Sequence, residues 1–159
     1  MPQAQTDCAI CDSLGLDFSR FEGWFAGIER KALRLGDYSI AGMENICVVE
    51  RKELADLVHS CTTNRCVFVN RLRRMAQYPH RLLLIPSSLS QVKSPYSHGG
   101  NPNRITQSLI AILAGLQIPF LCSETHELGE KSSPRIFIKC IDHWLDTNGF
   151  GRYLIDNDP

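Results

Sequence analysis

The chain predicts an α/β sandwich built around a central mixed β-sheet flanked by helices. Three observations carry this. Short β-branched or Leu-rich runs (Ile46 to Glu50, Arg81 to Ile85) alternate with stretches of helical periodicity (Glu53 to Cys61, Asn64 to Tyr78, Ile105 to Gln117), the pattern of strands joined by helical crossovers. A tight turn, Gly42-Met43-Glu44-Asn45, links two strand-like segments and adds an antiparallel pair to that sheet. The 159 residues, 43% hydrophobic and 21% charged, have the composition of one ordinary globular domain, which excludes a disordered or collagen-like chain. A domain of this size hides about 70% of its unfolded surface and needs no staples to fold.

The elements follow in order. Cys8 to Cys11 reads as a short strand. Phe18 to Leu33 mixes apolar and charged residues and is expected to contain a helix, weakened by Gly23 and Gly27. Leu33 to Ala41 and Ile46 to Glu50 are the two arms of a hairpin. Two helices follow, Glu53 to Cys61 and Asn64 to Tyr78, the second with Phe68, Leu72 and Met75 on one stripe and Pro79 as its stop. Arg81 to Ile85 is a buried strand. Pro86 to Asn103 is a long polar loop, of a length that is usually functional or disordered. Ile105 to Gln117 is apolar on nearly every side, which suits a central helix or one packed against a second subunit. Pro119 to Cys122 is a further strand, Ile136 to Thr147 a last helix, and the tail is polar. No repeat or low-complexity tract is present.

Net charge is zero, with 17 basic and 17 acidic residues. The distribution is nevertheless bipolar. From Leu57 to Ser123 there is no Asp or Glu, and the stretch carries seven Lys and Arg, leaving ten basic against all seventeen acidic residues elsewhere. Such asymmetry favours an anionic partner for the basic part, unless the charges mix on a solvated surface once folded. The N-terminus lacks a secretory signal, and the longest apolar stretch, Leu109 to Cys122, is broken by Gln117 and Pro119 and falls short of the roughly 20 residues a bilayer needs. A soluble, cytoplasmic protein that does not touch membranes is expected. The seven cysteines are scattered and odd in number, which fits a reducing compartment. Cys8 and Cys11 form a lone CxxC, and no second pair completes the four ligands of a structural zinc. A zinc-stabilised interaction module on these two is therefore the least supported reading.

The hairpin brings chemistry. With Ala41 paired to Ile46 across the turn, Asp37 falls opposite Glu50, with Cβ atoms about 4.5–5.5 Å apart. Lys52 shares the face of Glu50. Two carboxylates facing each other destabilise a sheet unless one is protonated or a cation lies between them. Hard oxygens on adjacent strands with an ammonium alongside suit Mg²⁺ or Mn²⁺. Such an ion acts as a Lewis acid on a phosphodiester and activates water, and Lys52 orients that water or stabilises the developing charge. The alternative is that Asp37 belongs to a Gly36-Asp37 turn and Glu50-Arg51-Lys52 is a charged strand exit, since a register slip of one residue separates the two acids. Glu29-Arg30-Lys31 repeats the tripeptide without a preceding alternating strand or an aspartate one hairpin upstream, and reads as the surface of a helix end. There is no GxSxG elbow, P-loop or GxGxxG.

The segment LRLGDYSIAGMENICVVERKELADL resembles the signature of XPF-type structure-selective DNA endonuclease domains: Gly-Asp, a hairpin, then Glu-Arg-Lys-x-x-x-Asp, here Gly36, Asp37, Glu50, Arg51, Lys52 and Asp56. The resemblance covers Cys8 to Asn148. It implies a restriction-endonuclease-like fold and metal-dependent hydrolysis of phosphodiester bonds in branched, flap or fork DNA. It implies that Asp37, Glu50 and the backbone carbonyl of Arg51 bind Mg²⁺ or Mn²⁺, that Lys52 works on the water, and that Asp56 completes the catalytic set. It also implies a homodimer, for which the C-terminal helices are the interface candidates. The organisation expected is an N-terminal segment with the first strand (1–17), a nuclease core (18–148) and a polar tail (149–159).

The sequence departs from the family in three ways. The family's first strand ends Asp-x-Arg-Glu, where this chain has Asp12-Ser13-Leu14-Gly15 and keeps only the aspartate as an additional active-site candidate. The family's Arg with Gln four residues on becomes Arg65 with Val69. The tandem helix-hairpin-helix modules of eukaryotic relatives are missing, so a free-standing nuclease domain is expected, or a catalytically impaired DNA-binding subunit of a nuclease complex. Arg65, Arg71, Arg74 and Lys93 are the candidates for phosphate contacts of the salt-sensitive, sequence-independent kind. Arg73 is equally suited to a structural ion pair, and the loop from Tyr96 to Asn103 to covering the DNA.

Overall fold

The computed structural model describes residues 6–12, 25–94 and 101–122. The element order is β1 (Thr6–Asp12), β2 (Phe25–Arg30), β3 (Tyr38–Ile40), β4 (Cys47–Arg51), α1 (Leu54–Cys61), α2 (Arg65–Met75), β5 (His80–Ile85), α3 (Leu89–Val92), α4 (Pro102–Leu116) and β6 (Phe120–Cys122). The six strands form one sheet in the order β2-β1-β3-β4-β5-β6. β1 and β3, and β3 and β4, are antiparallel; β1 and β2, β4 and β5, and β5 and β6 are parallel. The sheet is mixed, as expected.

The two parallel crossovers, through α1–α2 and through α3–α4, step along the sheet in the same direction. A fixed crossover hand then puts both on one face. There they bury Leu57, Phe68, Leu72, Met75, Val92, Ile105, Leu109, Ile112 and Leu113 against Leu35, Val48, Leu83 and Ile85. Arg81 ties this layer together, donating from Nη1 to the Tyr78 carbonyl and from Nη2 to the Gln117 carbonyl, each at 2.9 Å. One charge of the basic stretch is thus occupied at a helix end.

Three expectations are corrected. Phe25–Arg30 is a strand, not helix, and Glu29 lies on it rather than at a helix end. Its partner is β1, with Ala9 against Gly27 and Cys11 against Glu29, and this long-range pairing outweighs a local helix preference that glycine had already weakened. Of the rest of that expected helix, 31–33 has no regular structure and 18–24 lies outside the described residues. Second, the polar stretch after β5 contains α3, closed by a capping box in which the Ser88 hydroxyl accepts from the Gln91 amide and the Gln91 side chain accepts from the Ser88 amide. Third, α4 starts three residues earlier than expected: Asn101 caps it by accepting from the Asn103 and Arg104 amides, and Pro102 occupies its first turn. α4 is not central. It buries one face and exposes Ile110, Ala111, Ala114 and Gly115. The last expected helix, 136–147, and the expected boundaries at 17/18 and 148/149 lie outside the described residues.

Candidate active site

The site grows from a hairpin whose register is fixed by backbone. Tyr38 pairs with Val49, the alignment that sets Asp37 across from Glu50. The connection is longer than the four-residue turn expected. Ala41 to Ile46 form two successive turns, the first closed by the Met43 amide on the Ile40 carbonyl (2.9 Å) with Gly42 at φ +84°, the left-handed third position of a type II turn. Ser39 Oγ donates to the Cys47 carbonyl at 2.7 Å across the strands.

Gly36 explains why the acid is preceded by glycine. Its φ is +81°, and a Cβ there would lie 2.3 Å from Val48 Cγ2 and 2.9 Å from the Val49 carbonyl oxygen. Only a residue without a side chain lets the chain press this closely on β4. The following Asp37 amide then donates to that Val49 oxygen at 2.7 Å. The carboxylate is anchored as well, since Oδ2 accepts from the Arg51 amide at 2.7 Å.

Glu50 is one residue short of the end of β4, on the helix-facing side with Val48. Asp37 and Glu50 are buried, at 6% and 3% exposure. They open on a cleft of about 360 Å³ also lined by Arg51, Lys52, Glu53, Asp56, Ser60, Asn64, Val67, Phe68 and Arg71. Lys52 Nζ lies 3.8 Å from Glu50 Oε1 and 5.7 Å from the Phe68 ring centroid, seated over the aromatic face. Arg71 Nε lies 2.8 Å from the same Glu50 oxygen, and its Nη2 lies 3.9 Å from Asp37 Oδ1. The Nε–H is turned off the line to the oxygen, so this is a close charge pair rather than an aligned hydrogen bond. Arg51 extends to the mouth and pairs with Glu53.

Burial raises both carboxyls above their ordinary range. On Asp37 the Arg51 amide, Arg71 and Lys52 pull back. On Glu50 Arg71 and Lys52 pull back, while the charge of Asp37 adds to the rise. Glu50 Oε2 is buried and has no hydrogen-bond partner, an orphan of the kind that an ion or water satisfies. Among the described residues no group of three or more His, Cys, Asp or Glu is placed to hold a metal. A fit therefore rests on the carboxylate pair. Two hard carboxylates are what Mg²⁺ uses when waters and substrate phosphates complete its shell.

The candidate residues divide. Asp37, Glu50, Arg51, Lys52 and Asp56 all line the cleft, with Asp56 exposed at its rim. Arg71 and Arg74, both expected to contact phosphates, separate. Arg71 enters the acid pocket, whereas Arg74 is exposed, as is Lys93, and neither lines it. Arg65 faces a second cleft with Arg104, its Nε donating to Ser108 Oγ at 3.1 Å. Asp12 ends β1 opposite Tyr38, so the register sets it beside the neighbour of Asp37 rather than beside Asp37. The sequence reading missed that Arg71 reaches the acids and that Phe68 seats the lysine. The signal was present: Asn64, Phe68 and Arg71 recur at helical spacing along one line of α2.

The ERCC4 domain matches residues 10–130 of this chain. No curated protein matches it. Among solved structures, XPF from Aeropyrum pernix is similar at a TM-score of 0.65 with 16% identity, over 91% of this chain and 69% of that one. The same archaeal protein in complex with DNA is similar at 0.63 with 14% identity, over 89% of this chain and 66% of that one. This chain thus spans about two thirds of the length of those relatives. The likeness bears out the restriction-endonuclease-like α/β fold expected from the sequence, and the family match, which extends over most of the chain, shows that this protein belongs to the ERCC4 nuclease domain family.

Proposed function

We propose that the chain is a divalent-metal-dependent endonuclease that hydrolyses phosphodiester bonds in branched, flap or fork DNA. The observation that carries the reading is the buried pair Asp37 and Glu50, brought to one cleft with Lys52 beside them. Asp37 and Glu50, with the backbone carbonyl of Arg51, would hold Mg²⁺ or Mn²⁺. When bound, the ion supplies Lewis acidity toward the phosphodiester and the attacking water.

The chain's own residues do the remainder. The Arg51 amide fixes the rotamer of Asp37. Arg71 and Lys52 hold Glu50 Oε1, which leaves Oε2 as the oxygen offered to the ion. Lys52, steadied over Phe68, donates a proton or orients water at the reacting phosphate. Arg65, Arg74 and Lys93 contact backbone phosphates outside the cleft, which gives affinity that falls steeply with salt. A homodimer through the C-terminal helices is part of the proposal, supported by the outward-facing Ile110, 50% exposed, on α4.

The test is cleavage of a fork or flap substrate with Mg²⁺ or Mn²⁺. Asp37→Ala is expected to abolish cutting while DNA binding persists. If that variant cuts as well as wild type, the metal assignment is wrong. If wild type binds the branched DNA and cuts it with neither ion, the chain is the DNA-binding subunit that its altered Asp12-Ser13-Leu14-Gly15 segment also suits.

A further inference from the structure

Among the described residues, the acid pocket is charge-balanced before a cation enters it. Asp37 and Glu50 face two cations at close range: Arg71, 2.8 Å from Glu50 and 3.9 Å from Asp37, and Lys52, 3.8 Å from Glu50. Among the described residues the cleft also holds Arg51, whose charge is felt by Asp37 and is offset by its pair with Glu53, and Asp56, which is exposed to solvent. The inner cluster therefore sums to zero. A divalent ion entering alone leaves an uncompensated double positive charge in a partly desolvated cleft, and a phosphodiester entering alone leaves a negative one. Each state is costly away from water. Both together leave a single positive charge, half that of the ion alone, and each supplies a counter-charge that the other lacks.

The two cations are not equally free to respond. Lys52 follows β4 directly and is seated on Phe68. Arg71 reaches in from α2 on a long side chain that is 40% exposed. Its planar fork of donors suits a phosphate as well as a carboxylate.

We propose that Arg71 couples the loading of metal and DNA: it neutralises the Asp37–Glu50 pair until a phosphodiester arrives, then donates to that phosphate, so that the divalent cation and the DNA bind this pocket together and each poorly alone. The proposal rests on the reading of Asp37 and Glu50 as metal ligands. Coupling of this kind is reciprocal, so the ion also tightens DNA binding by the same factor.

The experiment is a Mn²⁺ titration of the full chain by electron paramagnetic resonance of the free ion. It is run with and without a phosphorothioate-protected fork oligonucleotide, which keeps the backbone charge but resists cutting. In wild type the DNA is expected to tighten Mn²⁺ about tenfold or more, within the usual 5–150-fold range of such coupling. Arg71→Gln is expected to bind Mn²⁺ several-fold more tightly than wild type without DNA and to lose most of the gain that DNA confers. Arg71→Lys keeps the charge but reaches one carboxylate rather than two. It is expected to fall between, and it carries the comparison if the Gln variant does not fold. If Arg71→Gln binds Mn²⁺ no more tightly than wild type, or keeps the full DNA-induced gain, the coupling role is overturned. Glu50→Gln separates the two ideas. It should lose Mn²⁺ with and without DNA; if it binds Mn²⁺ like wild type, the ligand assignment itself fails, whereas loss in Glu50→Gln with wild-type behaviour in Arg71→Gln removes only the coupling.

Discussion

The tripeptide Glu-Arg-Lys occurs twice in this chain, and its two copies end in opposite circumstances. Glu29 and Arg30 close β2, which among the described residues lies at the edge of the sheet, and Lys31 follows it. The Glu29 side chain is 51% exposed and sits 3.6 Å from Lys31 Nζ. Glu50 lies on β4, which has a strand on either side, and its side chain is 4% exposed. Both tripeptides offer a carboxylate and an ammonium at the end of a strand. In the second alone does a neighbouring strand deliver Asp37, while a helix packed on the same face delivers Phe68 and Arg71. A carboxylate becomes useful for binding a divalent ion when it is desolvated, oriented and paired with another, and those properties belong to the sheet position rather than to the tripeptide.

The sharpest way to break the comparison is to neutralise each glutamate in turn. Glu50→Gln is expected to lower Mn²⁺ affinity and DNA cleavage by more than about 100-fold, since changing even the outer partners of a metal site costs 10–100-fold. Glu29→Gln should leave both within a factor of two, a margin set by the weakness of exposed ion pairs at about 0–1 kcal/mol. Calorimetric Mn²⁺ titration and a fork-cleavage assay read the two outcomes. Equal losses in the two variants would mean that both tripeptides belong to one site, which the geometry of β2 and β4 forbids.

A second contrast concerns the glycines that shape the active hairpin. Gly36→Ala meets Val48 Cγ2 at 2.3 Å and the Val49 carbonyl at 2.9 Å, at φ +81°. Gly42→Ala meets nothing within 4 Å, at φ +84°. The backbone strain is shared, and only Gly36 adds a steric clash. Gly42→Ala is expected to cost about 1 kcal/mol, the left-handed penalty of an L-residue. Gly36→Ala should cost about 1–3 kcal/mol more, the usual range for overpacking. It should also lower cleavage, because the displaced strand carries Asp37. Urea denaturation measures both.

Much of this was legible from residue order. The hairpin register followed from the turn, and Asp37 was placed against Glu50 even though the connection proved to be two turns rather than one. Phe68, Leu72 and Met75 marked the buried face of α2 by their spacing. What escaped was whatever depends on distant partners. β2 forms because β1 is there to pair with it, and nothing within Phe25–Arg30 announces a parallel neighbour. Arg71 read only as a candidate for phosphate contacts because helical spacing tells which residues share a line, not which element that line meets. The capping box of α3 is the opposite case: Ser88 and Gln91 stood at the right separation, but a four-residue helix leaves no periodicity to find.

Acidity divides the two regions as well. Asp37 and Glu50 are raised by burial, whereas Glu44, which accepts from Lys31, is lowered to about 2. A carboxyl whose folded pKa is raised holds its proton more firmly in the fold than in the unfolded chain. Its contribution to stability is complete below the unfolded value and is lost as pH rises through the folded one. Without metal, the inner pair should therefore weaken the fold as pH climbs through and above the ordinary carboxylate range. Protons and Mn²⁺ compete for the same oxygens, so Mn²⁺ affinity should rise over that interval and level off. Glu44 has the reverse sign, its small contribution being present above its unfolded value and lost only as pH falls toward 2. Thermal melts against pH with and without Mn²⁺ test this, and a Mn²⁺-induced rise in Tm that does not grow with pH would contradict the buried-acid account.

The smallest effect completes the comparison. Lys31 bridges Glu29 and Glu44, and so links the end of β2 to the hairpin connection. The lysine is 41% exposed, so water and salt screen the pair. Lys31→Ala is expected to cost about 0.5 kcal/mol or less, the worth of an exposed ion pair, and the difference from wild type should vanish at about 1 M salt, where screening acts within 3 Å. Lys52→Ala should instead abolish cleavage at any salt concentration, since its ammonium sits 3.8 Å from a buried carboxylate. Were Lys31→Ala to lower Tm as far as Gly36→Ala, the first tripeptide would be a strut that holds the hairpin in register. The two copies would then share one task, the exposed one setting the position of the turn and the buried one using it.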